Sequence, residues 1–142
     1  MSNQIEEGTK LKLDFTKLRK IQQNINTDVI PVAVQHAITN EILIIAYVNE
    51  EALNHTIKNR VATFWSTSRN ELWIKGKSSG DVLEIVEILI NCEQNSLIYK
   101  VIPKGSGVCH TKNHNNISRR TCYYRKIDLE NPNELIFIEN LK

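Results

Sequence analysis

Two closely spaced pairs of runs rich in β-branched residues constrain this chain more than any other feature. Residues 29–35 (VIPVAVQ) and 41–48 (EILIIAYV) are separated by five residues, His36 to Asn40, which predicts an antiparallel hairpin. The second of these runs is apolar on both faces, and its expected place is the centre of a sheet. Residues 81–91 (DVLEIVEILIN) alternate at first and then become apolar, a pattern expected of a strand running from solvent into the core. Residues 96–102 (SLIYKVI) are its expected partner across a turn at 93–95. A shorter pair, 61–66 and 72–74, flanks a turn at 67–70, and 135–138 reads as a further strand.

Helical signals are fewer. Asn49 is placed to cap a helix over 50–59, with Glu50 and Glu51 at its positive end and Lys58 near its negative end. Ala52, Leu53 and Ile57 form its predicted buried stripe. Before Asp28, Leu13, Phe15, Leu18, Ile21 and Ile25 have spacings compatible with a second helix bearing one apolar stripe. The expected class is α+β and β-rich: one domain, with one or two helices packed on an antiparallel-dominated sheet or barrel. A chain of 142 residues holds one ordinary domain, and no repeat or linker divides it. Residues 28–127 form the expected main body, 1–27 a partly helical N-terminal segment, and 128–142 a C-terminal extension.

Composition removes several function classes. Net charge is only +2 and aromatics are 6%, which argues against nucleic acid as a partner. The longest apolar run, 42–48, falls far short of the ~20 residues of a spanning helix, so no membrane partner is expected. The first dozen residues carry Glu6 and Glu7 and no apolar stretch, so no secretory leader is readable. Three cysteines cannot all pair within one chain, which favours a reducing compartment, and the expected location is the cytoplasm.

Those cysteines are the most informative residues. For any one of them the competing reading is a small buried hydrophobe. Yet Cys92 sits at a predicted turn between Asn91 and Glu93. Cys109 follows the loop-like Lys104-Gly-Ser-Gly107, and Cys122 lies among Arg119, Arg120, Thr121, Tyr123 and Tyr124. Thiolates at loop ends beside cations are candidate metal ligands, and zinc suits soft sulfur. No CxxC pair signals a structural finger. Three thiolates would leave one position open, the catalytic arrangement.

Ordered blocks of the sequence resemble the phosphoribosyl-AMP cyclohydrolases. Ala46-Tyr-Val-Asn-Glu-Glu-Ala-Leu53 is similar to the family's AYMNxEAL, and Ser66-Thr-Ser-Arg69 to SRSR. Leu72-Trp-Ile-Lys-Gly76 with Ser78-Ser-Gly80 resembles LWxKGxTSG, and Asn91-Cys-Glu-Gln-Asn-Ser-Leu97 lies where the family has DCDxDxLL. Val108-Cys-His-Thr111 matches ACHT, and Arg120-Thr-Cys-Tyr-Tyr-Arg125 matches RSCFYR. Any single block is weak evidence; the ordered set across 28–127 is strong.

The resemblance implies an intertwined homodimer that opens the adenine ring of N1-(5-phosphoribosyl)-AMP by hydrolysis in histidine biosynthesis. It implies zinc held by Cys92 of one subunit and by Cys109 and Cys122 of the other. The chemistry of the residues agrees. Breaking the N1–C6 bond needs a nucleophile at C6 and a proton for N1, and His110, beside a ligand, is suited to move protons. His36, His55 and His114 lack such a setting and are expected to face solvent. The substrate is a nucleotide carrying two phosphates. Arg69, Lys75, Ser78, Ser79, Gly80 and Arg125 are the expected binding set, with Arg119 and Arg120 as further candidates. Trp73 is balanced between packing and stacking. Only a short stretch follows the last block, so by the resemblance a fused pyrophosphohydrolase domain is not expected and a monofunctional protein is.

The match breaks at several points. Where the family has aspartates expected to bind magnesium, this chain has Asn91, Glu93 and Asn95, so a second-metal site is expected to be weak. The family's SGH reads Ser79-Gly80-Asp81, and its KGE reads Lys75-Gly76-Lys77. Residues 112–118 (KNHNNIS) lengthen the interval between Cys109 and Cys122. The alternatives are a paralogue that hydrolyses another ribosylated purine or related heterocycle, and an inactive zinc- or nucleotide-binding protein.

Overall fold

The computed structural model of the chain describes residues 4–142. Eight strands and three helices occur among them: α1 (Gln4–Glu7), α2 (Lys17–Asn24), β1 (Ile30–His36), β2 (Ile42–Val48), α3 (Glu50–Asn59), β3 (Thr63–Ser66), β4 (Glu71–Ile74), β5 (Leu83–Ile90), β6 (Leu97–Pro103), β7 (Arg125–Ile127) and β8 (Leu135–Phe137). The main sheet has four strands in the order β2-β1-β6-β5, and β3-β4 and β7-β8 form two-stranded sheets. The α+β class holds, with a mixed, mostly antiparallel sheet.

Both predicted hairpins form. β1 pairs antiparallel with β2 from Ile30↔Val48 to Gln35↔Ile42, and β5 pairs with β6 from Leu83↔Pro103 to Ile90↔Leu97. They are joined through β1 and β6, which run parallel from Val32↔Leu97 to His36↔Val101. This pairing was not anticipated, because periodicity identifies strands and not partners. It also corrects the placing of β2, which lies at the edge. Ile42 (42%) and Ile45 (51%) are exposed, so an apolar run on both faces did not mean a central strand.

Burial on β5 runs opposite to expectation. Leu83 at its start is fully buried, whereas Val86, Leu89 and Ile90 are exposed. The Leu83 end faces the core containing Val32, Val34, Phe64, Tyr99 and Val108. The far end projects beyond it.

Helix α3 forms as its cap predicts. Asn49 Oδ1 accepts from the Ala52 N–H at 2.9 Å, and Arg60 closes the helix in the left-handed region at φ 60°. Its buried stripe is Ala52 and Thr56, with Leu53 half-buried; Ile57 is exposed. Thr56 is buried because its hydroxyl joins helix to sheet. It donates to Ala52 O at 2.9 Å and accepts from the Thr63 N–H at 3.0 Å. The N-terminal stripe is a weaker success. α2 covers only Lys17–Asn24 and buries Ile21, while Leu13, Phe15 and Leu18 face outward. No helix among the described residues is long and apolar enough to cross a membrane.

Candidate active site

A cleft of about 690 Å³ lies between the 75–81 loop and the 104–118 segment, and Arg69, Lys75, Ser78, Ser79, Cys109 and His110 all line it. Its walls are held by Asp81. The Asp81 carboxylate accepts from the Ser106 N–H at 3.0 Å, and Ser79 Oγ accepts from the Asp81 N–H at 3.2 Å. Gly76 (φ 80°) turns the chain where a Cβ would lie 2.2 Å from the Asp81 carbonyl carbon. Glycine is required there twice over, by its φ and by the close approach.

Cys109 is buried on a loop pinned by its own N–H to Arg119 O at 2.9 Å. Cys122 is half-buried on a second loop, pinned by its N–H to Leu43 O at 2.8 Å. The two residues pack together in a small cluster with Tyr124 and Leu141. The neighbouring Cys122 thiol, helped by Thr111, holds Cys109 well below the usual thiol range, while the Cys109 thiol and burial push Cys122 up. Thr111 Oγ1 lies 3.0 Å from Cys109 Sγ. Lys75 is 7% exposed; burial lowers its pKa, opposed by the charges of Asp81, Cys122 and Cys109. Two thiols in one cluster are a donor set that fits a soft divalent cation such as zinc.

Cys92 is not part of this pair. It is exposed in the turn closing β5–β6, where Asn91 Nδ2 donates to Asn95 Oδ1 at 2.6 Å. Asn91 Oδ1 accepts from the Asn95 and Ser96 N–H groups, each at 2.9 Å. Glu93 is exposed beside them. At ~3.3 Å per residue, β5 separates this turn by about 23 Å from Asp81 and the cleft. Accordingly, no group of three or more His, Cys, Asp or Glu suited to a metal occurs within one chain among the described residues.

His110 stands at the rim of the cleft, its side chain 80% exposed and its Nε2 paired with the Glu6 carboxylate. Arg69 is exposed and faces Glu71 at 3.5 Å. Gly80 (φ 84°) ends the loop in open space. Arg125 lies elsewhere: its guanidinium donates to Gly8 O at 2.7 Å and Ile5 O at 2.8 Å, lining a separate cleft with Cys122. Arg119 is 2% exposed and fully engaged with Glu7 and Leu141 O, while Arg120 pairs with Glu41. Trp73 packs on Phe64, ring centroids 5.4 Å apart. His36 and His55 are half-buried, contrary to expectation: His36 Nδ1 accepts from the Ile38 N–H, and His55 Nδ1 meets Thr63 Oγ1 at 2.9 Å. His114 is exposed and holds the inserted loop to Lys142 O at 2.8 Å. Sequence reasoning missed Thr111, inside a matched block, the bracing role of Asp81, which it read only as a departure from the family's SGH, and Glu6 and Glu7, for which no local signal exists.

The family model for phosphoribosyl-AMP cyclohydrolase matches residues 44–124. The phosphoribosyl-AMP cyclohydrolase of Methanothermobacter thermautotrophicus is 41% identical over 121 residues, 84% of this chain and 82% of that protein. That of Caulobacter vibrioides is 38% identical over 130 residues, 90% and 89% of the two chains. The histidine biosynthesis bifunctional protein HisIE of Thermus thermophilus is 43% identical over 109 residues, 77% of this chain, which spans 47% of that longer protein. With matched blocks, a cleft lined by Cys109 and these relatives in agreement, the chain belongs to the phosphoribosyl-AMP cyclohydrolase family, hydrolases that act on a cyclic amidine.

Proposed function

We propose that the chain hydrolyses the N1–C6 bond of N1-(5-phosphoribosyl)-AMP in histidine biosynthesis, as a zinc-dependent homodimer. The observation that carries this is the packed Cys109–Cys122 pair beside a cleft lined by cations and His110. Zinc held by that pair and by Cys92 of a second copy would supply the Lewis acidity that makes water nucleophilic near neutral pH. The separation of Cys92 from the pair supports a shared site, since one chain cannot bring all the thiols together. Exposed Val86, Leu89 and Ile90 beside the Cys92 turn offer an apolar face for that second copy.

The chain's own residues account for the rest. Water oxygen bonds to C6, the N1–C6 bond breaks, and His110 at the rim takes the proton the water gives up and passes it to N1. C6 keeps its amino group and becomes a carboxamide. Lys75, Arg69 and the Ser78–Ser79 stretch bind phosphate oxygens. Arg125 is omitted from that set, because its donors already hold the backbone of the N-terminal segment. Magnesium binding at Asn91, Glu93 and Asn95 is weak, since the asparagines carry no charge and Asn91 Oδ1 is already bonded.

The test is turnover of phosphoribosyl-AMP by the zinc-loaded protein, read as formation of the ring-opened product. Mixed dimers of Cys92→Ser and Cys109→Ser chains test the shared site. Each variant alone is inactive, and the hybrid regains one intact site. Zinc-replete protein that leaves phosphoribosyl-AMP unchanged defeats the assignment, and hybrids as inactive as their parents defeat the sharing.

A further inference from the structure

Residues 4–8 lie outside the matched family segment, yet they are fastened to its last block. Glu7 forms a two-pronged pair with Arg119, both contacts at 2.8 Å. Tyr124 OH donates to Glu6 O at 2.6 Å, and Arg125 donates to Ile5 O and Gly8 O. Gly8 permits the tight return of the chain, since a Cβ there would sit 2.5 Å from Gln4 O. Beyond it, the Leu135 N–H donates to Thr9 O at 2.7 Å, so the segment is tied at both ends. These anchors hold Glu6 where its carboxylate meets His110 Nε2.

We propose that Glu6 is a positioning residue for His110: its carboxylate, fixed by the anchored 4–8 segment, orients the imidazole and keeps the proton on Nε2. This rests on the role given to His110 above. The pair is exposed and adds little to stability. Its effect is orientation, because a carboxylate on one ring nitrogen sets the tautomer and leaves Nδ1 to take a proton from the attacking water and pass it to N1. The anchoring contacts fix the segment in the folded state, so little further ordering is needed when substrate binds. The chemistry therefore depends on a residue far from the cysteine loops in sequence, carried on a turn with no catalytic group of its own.

The experiment compares zinc-loaded wild type, Glu6→Ala, Glu6→Gln, His110→Asn and the Glu6→Ala/His110→Asn double variant in kcat, KM and urea midpoint. Glu6→Ala should lower kcat ~10–100-fold, the usual cost of losing an orienting partner, with KM and midpoint unchanged. Glu6→Gln, whose amide oxygen still accepts from Nε2–H, should keep part of the rate, and it stands in if the alanine variant folds poorly. On the His110→Asn background, Glu6→Ala should cost nothing more. Wild-type kcat in both Glu6 variants, with His110→Asn impaired, overturns the proposal alone. So do losses that multiply in the double variant. Wild-type turnover in His110→Asn overturns the reading of His110, and the proposal falls with it.

Discussion

Replacing Arg119 by Met removes a guanidinium on which three parts of the chain converge while keeping much of its volume. Its Nε donates to Leu141 O at 2.5 Å, its terminal nitrogens grip Glu7, and its carbon lies 4.1 Å over the Tyr124 ring. Leaving the Leu141 carbonyl unpaired in a buried setting costs about 1–3 kcal/mol. The Glu7 side chain is 37% exposed and can rehydrate, so the lost ion pair is worth only ~0.2–1 kcal/mol. The cation–π contact adds about 0.5–2 kcal/mol, part of which a thioether over the ring restores. The expected loss is about 2–4 kcal/mol, or roughly 1–2 M in urea midpoint at fixed chain concentration. The hydrogen bond to Arg119 holds Glu7 below its ordinary value of 4.5. A carboxylate lowered in the folded state stabilises fully above its unfolded pKa and loses that contribution as pH falls through the folded one. The gap between wild type and variant is therefore full at neutral pH and narrows below about 4.5. A neutral-pH loss under ~0.5 kcal/mol, or a gap that does not narrow in acid, refutes this account.

Cys109→Ser should lose zinc, read by elemental analysis after mild chelation, together with turnover; full activity without metal contradicts the proposed site. Gly105→Ala would place a Cβ 1.9 Å from Asp81 Oδ1, so it should loosen the cleft wall and raise KM, with little loss of zinc. Asn91→Asp with Asn95→Asp should tighten magnesium binding, measured by calorimetry, because two carboxylates replace neutral amides. Efficient wild-type turnover that vanishes on magnesium removal argues against a weak site.

Much of the local structure was legible. The Asn49 cap, both hairpins and the β3–β4 pair follow from spacing and turn residues, which act over a few positions. What failed was placement. Ile42 and Ile45 make β2 look central, yet only the partner strands decide which strand lies at an edge, and those come from far along the chain. Apolarity at Leu89 and Ile90 suggested a core that a single chain does not supply there. In the cleft, Arg69, Lys75, Ser78, Ser79, Cys109 and His110 meet because matched blocks fold together. Arg125 illustrates the limit. Its residue type suits phosphate, but only the path of residues 5–8 shows that both its terminal nitrogens already hold backbone carbonyls.

The parallel contact between β1 and β6 also bears on how the chain reaches its native state. Each hairpin closes a short loop and can form on microsecond timescales. Joining Val32 to Leu97 closes a much longer one, whose entropy must be met before the pairing returns any contact energy. Docking of the two hairpins is thus the expected rate-limiting event. Truncating Val34 or Tyr99, both fully buried on the strands that dock, should slow refolding as well as speed unfolding. Trimming exposed Ile38 in the β1–β2 turn should leave refolding nearly untouched. Until docking is complete, β1 and β6 each present an unpaired edge, and the refolding chain is most prone to aggregate during that interval.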